Sequence, residues 1–167
     1  SYLDTLALID GIPRDFIYVA KQELAVKFYS RLFLQRLDTV FVERFDTLRS
    51  AIATEEFAKQ LAAGRSLAIY PEGTFRAEPG LLPFHMGAFV TAAKSGATLL
   101  PVTLRGTRAI LQSDSNFPHH GAVRIIISPP LEPQGDDWAE AVRLQTAARE
   151  EIARHCNEQS LRHQDHI

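Results

Sequence analysis

The chain has 167 residues, enough for one domain with a sizeable core, and 46% of them are hydrophobic against 23% charged. A net charge of -2 makes no general case for nucleic acid, and a single cysteine, Cys156, excludes an internal disulfide and fits a reducing compartment. No apolar run approaches the roughly 18 residues that read as a membrane span, and no signal peptide is visible.

Helices and strands alternate along the chain. Asp4 to Asp10 reads as a short helix closed by Gly11 and Pro13, and Phe16 to Ala20 as a buried strand. Leu24, Phe28 and Leu32 recur every four residues beside Phe33 and Leu37, so Gln22 to Leu37 is predicted to be an amphipathic helix. Thr39 to Val42 is the next strand and runs into Glu43 and Arg44. A helix follows from Thr47 to Ala63, with Asp46 as its N-cap and Gly64 as its stop. Ser66 to Tyr70 is predicted as strand, Phe84 to Lys94 as helix ending at Gly96, and Thr98 to Leu104 as a strand carrying Pro101. Val123 to Ser128 reads as an edge strand. The last helix runs from Trp138 to Glu158, with Asp137 and Glu140 spaced as a capping box, and the polar tail 160–167 is expected to fray.

Strands separated by long helices need crossover connections. The expected fold is therefore a single α/β domain with a mainly parallel central sheet flanked by helices. In such sheets ligands lie beyond the carboxyl ends of the strands. There the sequence places Arg44, Glu72, Thr74, Arg76 and Arg105.

The densest stretch is "IYPEGTFR", residues 69–76. Pro71 has no N–H for a sheet ladder and ends the strand, and Gly73 permits positive φ. Backbone N–H groups, the Thr74 hydroxyl and the Arg76 guanidinium together suit a phosphate monoester. Glu72 is excluded as a phosphate ligand by its charge and is expected to brace the loop or an arginine. Arg44, Arg105 and Arg108 can grip a phosphate bidentately, or instead form salt bridges with Glu43 or Glu72. Asp4 reads either as part of a Ser-x-x-Asp capping box with Ser1 or as the orienter of a histidine that acts as a base. His119, His120, His155, His163 and His166 form no second cluster with ligand spacing, so no metal site is expected. Serine-esterase, P-loop, dinucleotide and zincin motifs are missing from the sequence.

"YPEGTFR" resembles the phosphate-binding block F-P-E-G-T-R-S of the glycerolipid acyltransferases related to lysophosphatidic acid acyltransferase. "SYLDTL" is similar to the tail of that family's first block, H-x-x-x-x-D. Counting back from Asp4 places the histidine two positions before Ser1. The chain, which does not open on Met, is thus expected to be an acyltransferase domain over 1–167, incomplete at its N-terminus and inactive by itself. "VFVER" (40–44) resembles the second block, "LLPVTLRG" (99–106) the fourth, and "PFHMGAF" (83–89) the F-K-x-G-A stretch after the third. Phe75 stands where the family has arginine, with Arg76 one position later, and His85 replaces a lysine.

The resemblance implies that Asp4 orients the catalytic histidine. It implies that Arg44, Glu72, Gly73, Thr74 and, more loosely, Arg76 hold the acceptor, with Arg105 and Arg108 as further candidates. The implied reaction moves a fatty acyl group from acyl-CoA or acyl carrier protein to a hydroxyl of a lysophospholipid or glycerol-phosphate acceptor. It uses no metal, no other cofactor and no covalent intermediate. The partners implied are the lipid acceptor, the acyl thioester and a membrane surface, with no nucleic acid; whether other domains are fused to the parent protein is left open. The implied location is the cytoplasmic face of a membrane. The apolar stripe of residues 21–37, ringed by Lys21, Lys27, Arg31 and Arg36, either packs on the sheet or meets that membrane. Two alternatives stand beside this reading. One is a non-catalytic phospholipid-binding relative, and the other an unrelated phosphate-binding α/β enzyme. An apolar tunnel leading to Asp4 and Glu72 is expected only of the acyltransferase.

Overall fold

A computed structural model describes residues 2–13, 15–21, 40–42, 47–74, 80–111, 117 and 119–156. Helix α1 (Tyr2–Gly11) leads into strand β1 (Phe16–Lys21). Strand β2 (Val40–Val42) is followed by helix α2 (Thr47–Ala62) and strand β3 (Ser66–Ala68). The three strands pair in the order β2-β1-β3, and both pairings are parallel, with Val19 opposite Val40 and Ile17 opposite Leu67. Ile17 and Tyr18 are successive residues of β1, so they point to opposite faces, and both are buried. The central strand is thus covered on two sides, as a parallel sheet requires. Helix α2 makes the crossover from β2 to β3 and packs against β3.

Beyond β3 lie helix α3 (Gly87–Ser95), strand β4 (Val102–Arg105), the single-turn helix α4 (Thr107–Ile110), strand β5 (Arg124–Ile127) and helix α5 (Trp138–Cys156). Strands β4 and β5 pair antiparallel, Thr103 opposite Ile126 and Arg105 opposite Arg124. Among the described residues this pair stands apart from the parallel three. The α/β class holds. The last pairing is antiparallel, and among the described residues the link between β4 and β5 carries the four-residue α4, not a helix able to cross a sheet face.

Several elements are shorter than the sequence predicts, each for a backbone reason. Strand β3 stops at Ala68 because the chain bends into a turn, in which the Gly73 N–H donates to the Tyr70 carbonyl at 3.0 Å. Helix α3 starts at Gly87 rather than Phe84: the Phe84 carbonyl, which a helix beginning there would turn to the Ala88 N–H, accepts from Gln145 Nε2 at 3.3 Å, and the His85 N–H donates to the Pro71 carbonyl at 2.8 Å. Strand β4 starts after Pro101, which has no N–H to give but accepts from the Ser128 N–H at 2.9 Å. Leu99 keeps a separate two-bond bridge to Leu131. The capping box at α5 is half made. The Glu140 N–H donates to Asp137 Oδ1 at 2.8 Å, but the Glu140 carboxylate turns to the Gln134 N–H and to Arg143 instead. The predicted helix 22–37, the Asp46 cap and the tail 160–167 lie outside the described residues.

The core lies between α3 and α5. Phe89, Ala92 and Ala93 of α3 meet Ala141, Leu144 and Ala148 of α5, and Leu81 and Phe84 close one end. The Phe84 and Phe89 rings stack with centroids 6.2 Å apart. The alanines let the two helices approach closely, and Leu144, 0% exposed, fills the space between them.

Candidate active site

The turn that follows β3 is built from its own sequence. Pro71 sets the φ that the second position of a β-turn prefers, and Gly73 adopts φ 61°, a conformation that a Cβ would strain. Two bonds tie the turn to the segment just before α3. The Pro71 carbonyl accepts from the His85 N–H, and Glu72 Oε2 accepts from the Leu82 N–H at 3.0 Å. The Glu72 carboxylate thus holds loop backbone in place.

Helix α1 reaches the same place from the other end of the sequence. Thr5 Oγ1 and the Tyr70 hydroxyl lie 3.1 Å apart, a bond between residues 65 positions apart. Asp4 precedes Thr5 in the first turn of α1 and is half-buried. The Tyr70 phenol is pushed well above its ordinary range, first by burial and further by the charges of Asp4 and Tyr18, while the Thr5 hydrogen bond pulls the other way. Asp4 is therefore close enough to the strand end to be felt there.

Asp4, Glu72 and Thr74 line one cavity of about 1610 Å³, together with Arg105 at the end of β4 and Arg108 in α4. Leu8, Phe16, Phe89, Leu104 and Ile152 make up part of its apolar wall. Gly73 shapes the turn between Glu72 and Thr74. Arg124 sits directly across the ladder from Arg105, so like charges face each other where β4 ends. Such a pair is destabilising by itself. Of the residues singled out from sequence, the structure thus brings Asp4, Glu72, Gly73, Thr74, Arg105 and Arg108 around one space. Arg44 and Arg76 lie outside the described residues.

Sequence reasoning passed over Thr5, Tyr70, Leu82 and Arg124. Tyr70 ends an apolar run and reads as core, and Thr5 reads as an ordinary helix residue. Leu82 takes part through its backbone, which no pattern of side chains reports. Arg124 could have been found by pairing the two predicted strands antiparallel in register.

Residues 1–105 match the family model described as Acyltransferase. The chain belongs to this family. It is 30% identical over 132 residues to the chloroplastic 1-acyl-sn-glycerol-3-phosphate acyltransferase LPAT1 of Arabidopsis thaliana, covering 78% of this chain and 37% of that protein. It is 29% identical over 153 residues to the 1-acyl-sn-glycerol-3-phosphate acyltransferase of Borreliella burgdorferi, covering 91% of this chain and 61% of that one. The chain thus spans between about a third and two thirds of the length of these relatives. The crystal structure of the 1-acyl-sn-glycerophosphate acyltransferase PlsC from Thermotoga maritima superimposes with a TM-score of 0.70 at 26% identity, covering 89% of this chain and 58% of that one. The motifs that carried the resemblance, from "SYLD" to "LLPVTLR", fall within the matched residues.

Proposed function

We propose that this domain transfers a fatty acyl group from acyl-CoA or acyl carrier protein to the free hydroxyl of a 1-acylglycerol-3-phosphate-like acceptor. One observation carries the reading: in a chain of this family, Asp4, Glu72, Thr74, Arg105 and Arg108 share a cavity whose wall is otherwise largely apolar. The turn 71–74 and the arginines hold the acceptor phosphate, and the apolar wall takes acyl chain. Arg44 and Arg76 join this grip on the strength of the motifs they sit in.

Asp4 accepts the N–H of a histidine five positions ahead of it, where the family motif H-x-x-x-x-D places one. It fixes the tautomer of that ring and steadies the imidazolium that forms. The histidine takes the acceptor hydroxyl proton, the oxygen attacks the thioester carbonyl, and an O–C bond forms. The C–S bond then breaks, and the thiolate recovers the proton from the imidazolium. Fixing the phosphate holds the hydroxyl in place, and that orientation supplies much of the rate. In this reading the steps need no metal and no cofactor beyond the acyl thioester.

A lipid acceptor puts the site against a membrane surface, on its cytoplasmic face in this reading. Among the described residues no helix is long and apolar enough to cross a membrane. Leu6 and Ile9 are exposed one turn apart on α1, the helix that bears Asp4, and suit shallow contact with lipid.

The test is acyl transfer by the full-length protein, with acyl-CoA and acyl carrier protein offered in parallel to 1-acylglycerol 3-phosphate. Asp4→Asn should lower turnover by roughly 100- to 10,000-fold, because loss of oriented general-base catalysis costs that much, while the melting temperature stays within a few degrees. Near-normal turnover by the folded variant would remove Asp4 from the mechanism. Tight binding of the phospholipid with no transfer from either thioester would favour the binding-module alternative.

A further inference from the structure

The matched family region ends at residue 105, yet the turn after β3 is also held from α5, well beyond it. Arg149 projects from α5 onto the segment 81–84. Its Nη2 donates to the Leu81 carbonyl at 3.1 Å, its Nη1 donates to the Leu82 carbonyl, and its guanidinium carbon lies 5.2 Å from the centroid of the Phe84 ring. Gln145, one turn earlier on α5, donates to the Phe84 carbonyl at 3.3 Å.

The Leu81 carbonyl and the Leu82 N–H belong to the same peptide group. That group is gripped from both sides, by the Arg149 cation on its oxygen and by the Glu72 anion on its N–H at 3.0 Å. A guanidinium on the oxygen polarises the peptide and strengthens the N–H as a donor to the carboxylate. The planar fork spans two successive carbonyls, so it also fixes the rotation of this segment, which a point charge or an apolar side chain cannot do. Glu72 sits in the turn beside Gly73 and Thr74, so the direction of its carboxylate sets where that turn lies.

We propose that Arg149 is a positioning residue for acyl transfer, acting through the Leu81–Leu82 peptide on Glu72 and hence on the phosphate-binding turn. It touches no reacting atom in this assignment. The proposal rests on the acyl-transfer reading above and extends the working site into α5.

The experiment is a kinetic double-mutant cycle in the full-length protein with Arg149→Met, Glu72→Ala and both together. It is run with saturating acyl donor at a temperature where thermal melts show every variant folded. Arg149→Met should lower kcat/KM for 1-acylglycerol 3-phosphate by roughly 10- to 100-fold, the range for a small displacement of a positioned group, and leave the KM for the acyl donor within about twofold. Arg149→Lys, which can reach one carbonyl but cannot fork across two, should fall between. In the Glu72→Ala background the same Arg149→Met change should cost less than about threefold, because the group it acts through is already gone. An equal loss in both backgrounds overturns the proposal and leaves the acyl-transfer reading standing. So does an Arg149→Met enzyme that melts earlier yet turns over normally while folded. If Arg149→Met is too unstable to measure, the Arg149→Lys cycle decides on the same criterion. Near-normal transfer by Glu72→Ala alone overturns both the positioning role and the site it serves.

Discussion

Around the cavity, polar side chains reach far along the sequence. Thr5 bonds Tyr70, and Glu72 holds the backbone of Leu82. Along α5 most polar groups stay local. Arg143 pairs with Glu140 at 2.6 Å and Arg154 with Glu151 at 2.5 Å, each within one helical turn. The helix meets the rest of the molecule chiefly through Ala141, Leu144 and Ala148, with Arg143, Gln145 and Arg149 making polar contacts beyond the helix, to the Glu132, Phe84, Leu81 and Leu82 carbonyls. A local pair forms wherever a helix forms and contributes little. A long-range bond forms only if two distant segments arrive together, so it reports a required geometry. The first region is organised for placement of groups and the second for mass behind them. That difference predicts which substitutions should lower turnover and which should lower only stability.

The sharpest test of the division is in α5. Leu144 is buried at 0% exposure among alanines that cannot expand to fill its space, so Leu144→Ala should cost about 3 kcal/mol of stability. Acyl transfer per folded molecule should hold within about threefold of the parent, because Leu144 carries no polar group and does not itself line the cavity. Denaturant unfolding and turnover measured on the same preparation decide it, and a collapse of turnover in folded protein would erase the distinction between the regions.

Next in size is Gly106, which joins β4 to α4. Its φ is 96°, and a Cβ there would lie 2.1 Å from the Ala122 carbonyl oxygen, a backbone atom with no easy retreat. Gly106→Ala should therefore cost about 2 kcal/mol. It should also weaken binding of the phosphorylated acceptor, because Arg105 and Arg108 flank the glycine. A variant with parental stability and acceptor KM would show that β4 and α4 shift freely.

Much of this division could be read from the sequence. Alternation of apolar runs with helical periodicity marked the elements, and "YPEGTFR" marked the turn because Pro71 and Gly73 each dictate a backbone state locally. What could not be read was whatever depends on distant partners. Arg149 looks like one more solvated charge on an amphipathic helix, and only the fold shows that its neighbours are carbonyls. Element ends were overestimated at Phe84, Thr98 and Tyr70 for a related reason: apolar side chains continue there while the backbone hydrogen bonds have already gone elsewhere.

Smaller again is the effect of Glu140, the local counterpart of Glu72. Hydrogen bonds from Arg143 and from the Gln134 N–H hold its carboxyl down at about 2, from an ordinary 4.5. With the folded value depressed, the stability it contributes is complete above the unfolded value and is lost as pH falls from about 4.5 toward about 2. Glu140→Gln should flatten the acid limb of the unfolding free energy over that window and leave acyl transfer at neutral pH unchanged. An acid limb identical to the parent's would mean that the pair with Arg143 does not persist in solution.

The smallest effect belongs to the bond that joins α1 to the end of β3, and it runs against the division if the division is drawn too simply. Tyr70 is an aromatic residue that a core reading would accept, yet its hydroxyl meets Thr5, the neighbour of Asp4. Tyr70→Phe keeps the ring and removes the oxygen, so its cost should be about 1 kcal/mol, and Thr5→Val in the Tyr70→Phe background should add little. Burial raises the phenol, so the folded protein holds this proton after the unfolded chain has released it at an ordinary value of 10.0. Stability from this group is therefore full below that pH and falls as pH rises through it, until the buried phenol itself ionises. Tyr70→Phe should remove that part of the alkaline loss and make the parent and variant converge at high pH. Additive costs for Thr5→Val and Tyr70→Phe would dissolve the bond, and with it the tie that brings Asp4 to the turn.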